Sequence, residues 1–133
     1  MPRAVANSYQ PVNPTNTLPK TRTAGAAITG GQLLLPTADS VVSPVTANTQ
    51  RATSVAAHDA PSGGRVTVWP LPGVIHESVN NNAGAVTAGA PITAGASAGV
   101  DTGLLGTVAA AGTLVGICTK GAASGAKLQW IGV

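Results

Sequence analysis

Residues 60–75 read APSGGRVTVWPLPGVI, and the fold turns on this stretch. Arg65, Val66, Thr67, Val68 and Trp69 alternate in polarity and are rich in β-branched side chains. A period of two marks a half-buried strand, here with Val66 and Val68 on its inner face. Pro61, Ser62, Gly63 and Gly64 predict a preceding turn, because glycine reaches positive φ without strain. Pro70 removes a ladder donor and Pro72–Gly73 favours another turn, so the strand ends there or lies on an edge.

The arrangement returns in residues 123–133, ASGAKLQWIGV. Ser62, Gly63, Arg65, Val66 and Val68 fall opposite Ser124, Gly125, Lys127, Leu128 and Trp130 at one constant offset. A basic residue opens each strand and apolar residues keep the same phase. Residues 23–31, TAGAAITGG, and 87–95, TAGAPITAG, form a second echo. Together they predict an arm followed by two related β halves. Trp69 and Trp130, taken as equivalent positions in those halves, are expected to be core or interface anchors.

A chain of 133 residues makes one domain plus a tail. Its 44% hydrophobic content includes no Phe, two Trp and one Tyr, so Val, Leu, Ile and Ala must build the core. Charged residues make up 8% of the chain, against about 25% in ordinary soluble domains. Such a surface suits a protein packed against other subunits. The net charge of +3 comes from dispersed residues, with Arg3, Lys20 and Arg22 early and Arg51, Arg65, Lys120 and Lys127 scattered. Nucleic-acid binding calls for clustered cations interleaved with aromatics, and the sequence has neither. The single cysteine, Cys118, excludes an intramolecular disulfide framework and reads as a small buried thiol. Glycines interrupt the longest uncharged run, 102–119, whereas a spanning helix needs ~20 apolar residues, so no membrane span is expected. The N-terminus lacks an apolar leader region, which predicts assembly in a cytoplasm.

Pro2, Pro11, Pro14 and Pro19 keep residues 1–22 extended, an arm that is loose alone and ordered on a partner. Its apolar anchors are Val5, Tyr9, Val12 and Leu18. The β domain, 23–133, begins with an apolar run at Leu33–Leu35 that Pro36 stops. Val41–Val45 is an expected edge strand because of Pro44, and Thr53–Ala57 forms a hairpin with the 65–69 strand. Glu77–Asn82 is expected to turn the chain, with short strands at 85–87 and 90–93 and a small-residue loop at 94–103. Residues 104–111 are allowed at most one helical turn, because of Gly106, Gly112 and the lack of caps. Residues 113–119 form a buried strand, and Lys127–Ile131 closes the sheet. The prediction is all-β: a small barrel or sandwich of short strands with two related halves, preceded by an extended N-terminal arm.

Chemistry is sparse. His58–Asp59 is a close His–acid pair in a Pro/Gly-flanked loop, and His76–Glu77 is another. Both His58 and His76 are expected to be solvated loop residues. Metal ligation needs converging His, Cys or carboxylate groups, whereas Asp39 and Asp101 stand alone. The expectation is therefore no catalytic residue, no cofactor and no metal site, which counts against a small hydrolase. An ice-binding solenoid would need a short repeat of fixed period, which is absent.

The order of elements resembles the capsid decoration, or cement, proteins of tailed bacteriophages. The resemblance rests on AHDAPSGGRVTVWPLPGVI, AGAVTAGAPIT and TLVGICTKGAASGAKLQWIGV, and covers residues 23–133. The ending V-G-I followed by a glycine and a basic–apolar alternation falls on Val115 to Ile131. The resemblance implies a structural, non-enzymatic virion protein that binds the outer surface of the mature head and stabilises it. It also implies the major capsid protein as partner, a homotrimer, and no nucleic acid or membrane. The arm then supplies the capsid contacts through Arg3, Val5, Tyr9, Val12, Leu18, Lys20 and Arg22. The alternative is a receptor- or glycan-binding surface module of a virion, which three aromatic residues serve poorly.

Overall fold

The computed structural model describes residues 8–13, 18–97, 99–103 and 105–133. Strands β1 (Lys20–Ala24), β2 (Leu33–Ala38), β3 (Val41–Pro44), β4 (Ser54–Ala56) and β5 (Arg65–Pro70) close into one barrel, in the order β1-β3-β2-β4-β5. Strands β6 (Ile75–Asn80), β7 (Pro91–Ala94), β8 (Gly99–Thr102), β9 (Leu114–Lys120) and β10 (Lys127–Gly132) close into a second, in the order β10-β6-β8-β7-β9. The two circuits are the same. In each, the first and third strands are parallel and every other pair is antiparallel. Closure leaves no edge for a neighbouring chain to extend.

The duplication holds residue by residue. Thr23 pairs with both Val41 and Arg65, as Val79 pairs with both Gly99 and Lys127. Ala24, Ile28, Leu34, Val42, Ala56, Val66 and Val68 fill the first barrel. Their counterparts by register are Asn80, Val86, Ile92, Val100, Cys118, Leu128 and Trp130, all buried in the second. Ile28 exchanges backbone hydrogen bonds with Ala60, and Val86 does the same with Ala122. Gly63 and Gly125, each at φ 82, donate to the carbonyls of Ala24 and Asn80. That backbone conformation is why both turns carry glycine.

The echo between residues 62–68 and 124–130 is therefore genuine, but the one between 23–31 and 87–95 is not. Thr23 lies in β1, whereas Thr87 lies between β6 and β7, and Ile28 corresponds to Val86 rather than Ile92. Runs of Ala, Gly and Thr have too little side chain to fix a phase. The tryptophans are also out of step. Trp130 corresponds to Val68 and is fully buried, while Trp69 corresponds to Ile131 and is half-buried.

Several local expectations are corrected. Residues 77–80 continue strand β6 instead of turning, and Gly99–Thr102 is a strand inside the expected loop. Pro36 does not stop β2; it pairs with Val42 where the register shifts. Val41–Pro44 lies on no edge, because the barrel is closed. The helix α1 (Leu105–Ala111) exceeds one turn, buries Val108 and ends on Gly112 at φ 72, the left-handed residue that commonly terminates helices. The expected arm boundary at residue 22 falls within β1. Outward-facing Leu33, Val45, Ala52, Val55 and Leu71 of the first barrel join the core of the second, which packs the two barrels together.

Candidate functional site

The segment Ser8–Asn13 lies across both barrels. Ser8 bridges to His58, the Tyr9 N–H donates to the Ala57 carbonyl (2.8 Å), and Trp69 Nε1–H donates to the Tyr9 carbonyl (3.2 Å). On the other side, the Val12 N–H donates to the Ile75 carbonyl (2.8 Å) and the Ile75 N–H to Asn13 Oδ1 (2.8 Å). Two residues of the segment thus bond to each half.

Tyr9 also closes one end of the second barrel. Its ring stacks on His76 (centroids 5.8 Å apart), and His76 in turn packs on Trp130 (4.9 Å). His76 is fully buried rather than solvated, because β6 turns His76, Ser78 and Asn80 inward. Each polar group has a partner. His76 Nε2–H donates to the Pro70 carbonyl (2.9 Å), and the Tyr9 hydroxyl donates to Nδ1 (2.7 Å) while accepting from the Glu77 N–H (3.1 Å). Trp130 Nε1–H donates to Ser78 Oγ (3.1 Å), and Asn80 Nδ2 donates to the carbonyls of Gly84 and Ala122. These bonds suit a neutral imidazole, and burial holds the His76 pKa down at about 4. Burial likewise raises the Tyr9 hydroxyl, reinforced by the Glu77 carboxylate. A Cβ on Gly116 would run into the Trp130 ring, so the indole plug requires glycine there.

The corresponding end of the first barrel is open. Register places Lys20 opposite Val68 as His76 is opposite Trp130, and Ser54 corresponds to Gly116. Val68 is far smaller than an indole, so among the described residues nothing plugs this end. A cavity of about 350 Å³ remains, lined by ends of all five strands, including Lys20, Arg22, Pro36, Ser54, Val68 and Pro70. Among the described residues, no acidic side chain lines it. One Arg22 N–H donates to the Thr21 carbonyl (2.9 Å). Ser54 is 6% exposed, and its hydroxyl has no hydrogen-bond partner among the described residues.

A family model described as phage cement protein matches residues 12–132. The chain belongs to the phage cement protein family. It is a structural protein of the virion capsid. The fold is similar to the crystal structure of the head fiber gp8.5 N base of bacteriophage phi29, with a TM-score of 0.64 and 17% identity. That likeness covers 88% of this chain and 94% of the other. No curated protein sequence matches.

Of the arm residues expected to contact a capsid, Arg3 and Val5 lie outside the described residues. Tyr9 is engaged within the cement protein itself. Val12 uses its backbone on Ile75 while its side chain is 48% exposed, and Leu18 is 77% exposed. Lys20 and Arg22 come together at the open mouth. The sequence reading missed Ser54 and Val68 as mouth residues. The signal was there in the repeat offset, which sets Ser54 against Gly116 and Val68 against Trp130.

A second cavity, about 380 Å³, lies between α1, the strands β7 and β8 and the loop at Asn48–Thr49. Its polar lining is Asn48, Thr49, Thr93, Thr102, Thr107 and Thr113, with no aromatic ring. His58 is half-buried and holds a neutral tautomer: Nδ1–H donates to the Asp59 carbonyl (2.8 Å) and Nε2 accepts from the Thr67 N–H (3.1 Å). The Asp59 carboxylate accepts from the Gly30 N–H (2.9 Å). Both ring nitrogens are thereby committed to backbone. Cys118 is buried in β9, and burial raises its pKa, which opposes thiolate chemistry. Among the described residues, no three His, Cys, Asp or Glu side chains converge.

Proposed function

We propose that this cement protein decorates the outer surface of the mature phage head, as a homotrimer bound to the major capsid protein. The observation that carries the reading is the family match across residues 12–132. The sparse charge of the chain agrees with a surface made for packing against other subunits. The role is structural rather than enzymatic. The mechanism is mass action: a ligand that binds only the expanded lattice stabilises it, by ~2.7 kcal/mol when present at 100 times its Kd.

Contacts to the shell fall to the exposed part of the arm and the start of β1. Leu18 and Val12 offer apolar surface, and Arg3, Lys20 and Arg22 complement an acidic capsid face, with Val5 as a further anchor. Each exposed ion pair adds only ~0.2–1 kcal/mol, so affinity depends on several such contacts and on trimer avidity. Tyr9 serves this scheme indirectly, by fixing where the arm leaves the barrels.

The test is co-sedimentation with expanded and immature shells that lack the protein, alongside its mass in solution. Saturable binding to the expanded form alone, at a fixed ratio to capsomers and with a trimeric mass, is the expected result. A compact monomer that binds neither shell overturns the reading.

A further inference from the structure

We propose that the open mouth of the first barrel is a socket for a carboxylate on a short apolar stem, presented by an acidic loop of the shell protein. The occupant rests on the capsid-binding reading above. The socket itself rests on the comparison between the two barrels. In the second barrel this end is filled by Trp130, seated over Gly116 and hydrogen-bonded to Ser78. In the first, Val68, Ser54 and Arg22 stand in their places, with Lys20 in place of His76. Val68 lacks the indole, Ser54 puts a side chain where the indole would sit, and Arg22 and Lys20 add cations.

The lining specifies the chemistry. Pro36, Val42, Val68 and Pro70 provide apolar walls for a stem, and Lys20 and Arg22 provide positive charge with no acid among the lining residues. One N–H of Arg22 is used by the Thr21 carbonyl, which leaves guanidinium donors for a carboxylate. Ser54 is the independent sign of a missing partner. The residue is 94% buried, and among the described residues its hydroxyl has no hydrogen-bond partner, whereas buried polar groups are nearly always satisfied. An uncharged aromatic group would fill the volume but leave both cations without a counter-charge. The cavity of about 350 Å³ lies at the small end of the ~300–1,000 Å³ typical of ligand sites, which suits a side chain rather than a large ligand.

Two arms test the inference on the full chain. In the first, ¹H–¹⁵N spectra are recorded during titration with sodium glutarate and, separately, with uncharged glutaramide. Saturable shifts at the amides of Lys20, Arg22, Ser54 and Val68 are expected with glutarate only, weakened about tenfold by Arg22→Gln. Equal responses to both compounds, or none, overturn the carboxylate site. In the second arm, the double variant Ser54→Gly/Val68→Trp rebuilds the plug of the second barrel in the first. This variant and Arg22→Gln are each expected to fold and to lose about tenfold or more in affinity for expanded shells. Wild-type binding with both variants unimpaired overturns the socket and leaves the cement role standing. Failure of the wild type to bind shells overturns the capsid reading and, with it, this occupant.

Discussion

The two barrels share a circuit, a register and most of their backbone hydrogen bonds, yet one end is finished differently in each. In the second barrel an indole, an imidazole and a phenol stack in sequence from core to arm. In the first, Val68, Lys20 and Arg22 stand where the second has Trp130, His76 and Ser78, around a cavity. The backbone therefore does not dictate whether a barrel end is sealed. Four side chains do. The sealed end holds two of the chain's three aromatic residues, which is a stability device. The open end keeps charge in a chain that has little, which is a surface device.

The largest test of this contrast is truncation on each side of it. Trp130→Ala empties the plug and strands Ser78, and is expected to lower unfolding free energy by ~3–5 kcal/mol in denaturant titration. Val68→Ala at the matching position borders a cavity already, so its expected loss is at most about 2 kcal/mol. Equal losses would mean that the two ends are not energetically distinct.

The plug also explains what the sequence concealed. The strands 65–70 and 127–132 were legible because Val66, Val68, Leu128 and Trp130 follow the ordinary apolar alternation. Strand β6 was not, because it inverts that alternation: His76, Ser78 and Asn80 face inward and Ile75, Glu77 and Val79 are half-buried. Hydropathy cannot find an inward row of polar residues whose partners, Pro70, Trp130 and Ala122, are remote in the chain or lie outside the strand. The arm's end was misjudged for a related reason. Lys20 and Arg22 look like tail residues until β1 is seen to need β5 as its partner. The open mouth was readable only in part, since its cations were noticed singly and Ser54 gained meaning only against Gly116.

Acid is expected to act on the sealed end next. The folded protein holds His76 neutral, with a pKa lowered from 6.5 to about 4. Between those values the unfolded chain takes up a proton that the folded chain refuses. Stability from this residue is therefore full above pH 6.5, falls as pH drops towards 4, and changes no further below it. The full loss is about 3 kcal/mol. Unfolding free energies measured from pH 7 to 3.5 should show this fall in the wild type and a flatter profile in His76→Gln. Parallel profiles would remove His76 as the acid-sensitive group.

The smallest effects lie along the segment that joins the halves, and they separate its anchoring part from its free part. Tyr9→Phe keeps the ring on His76 but deletes the hydroxyl that donates to Nδ1 and accepts from the Glu77 N–H. Two buried or half-buried groups then lose a partner, so a destabilisation of ~1–3 kcal/mol is expected. Leu18→Ala, at a side chain that touches solvent over most of its surface, should stay within ~0.5 kcal/mol of the wild type. The same pair is expected to reverse order in shell binding, where Leu18 offers apolar surface and the Tyr9 hydroxyl is turned into the protein. If both variants instead weakened folding equally, the segment before β1 would be one continuous strap. A split between them makes residues 8–13 the strap and Leu18 part of the surface left for a partner.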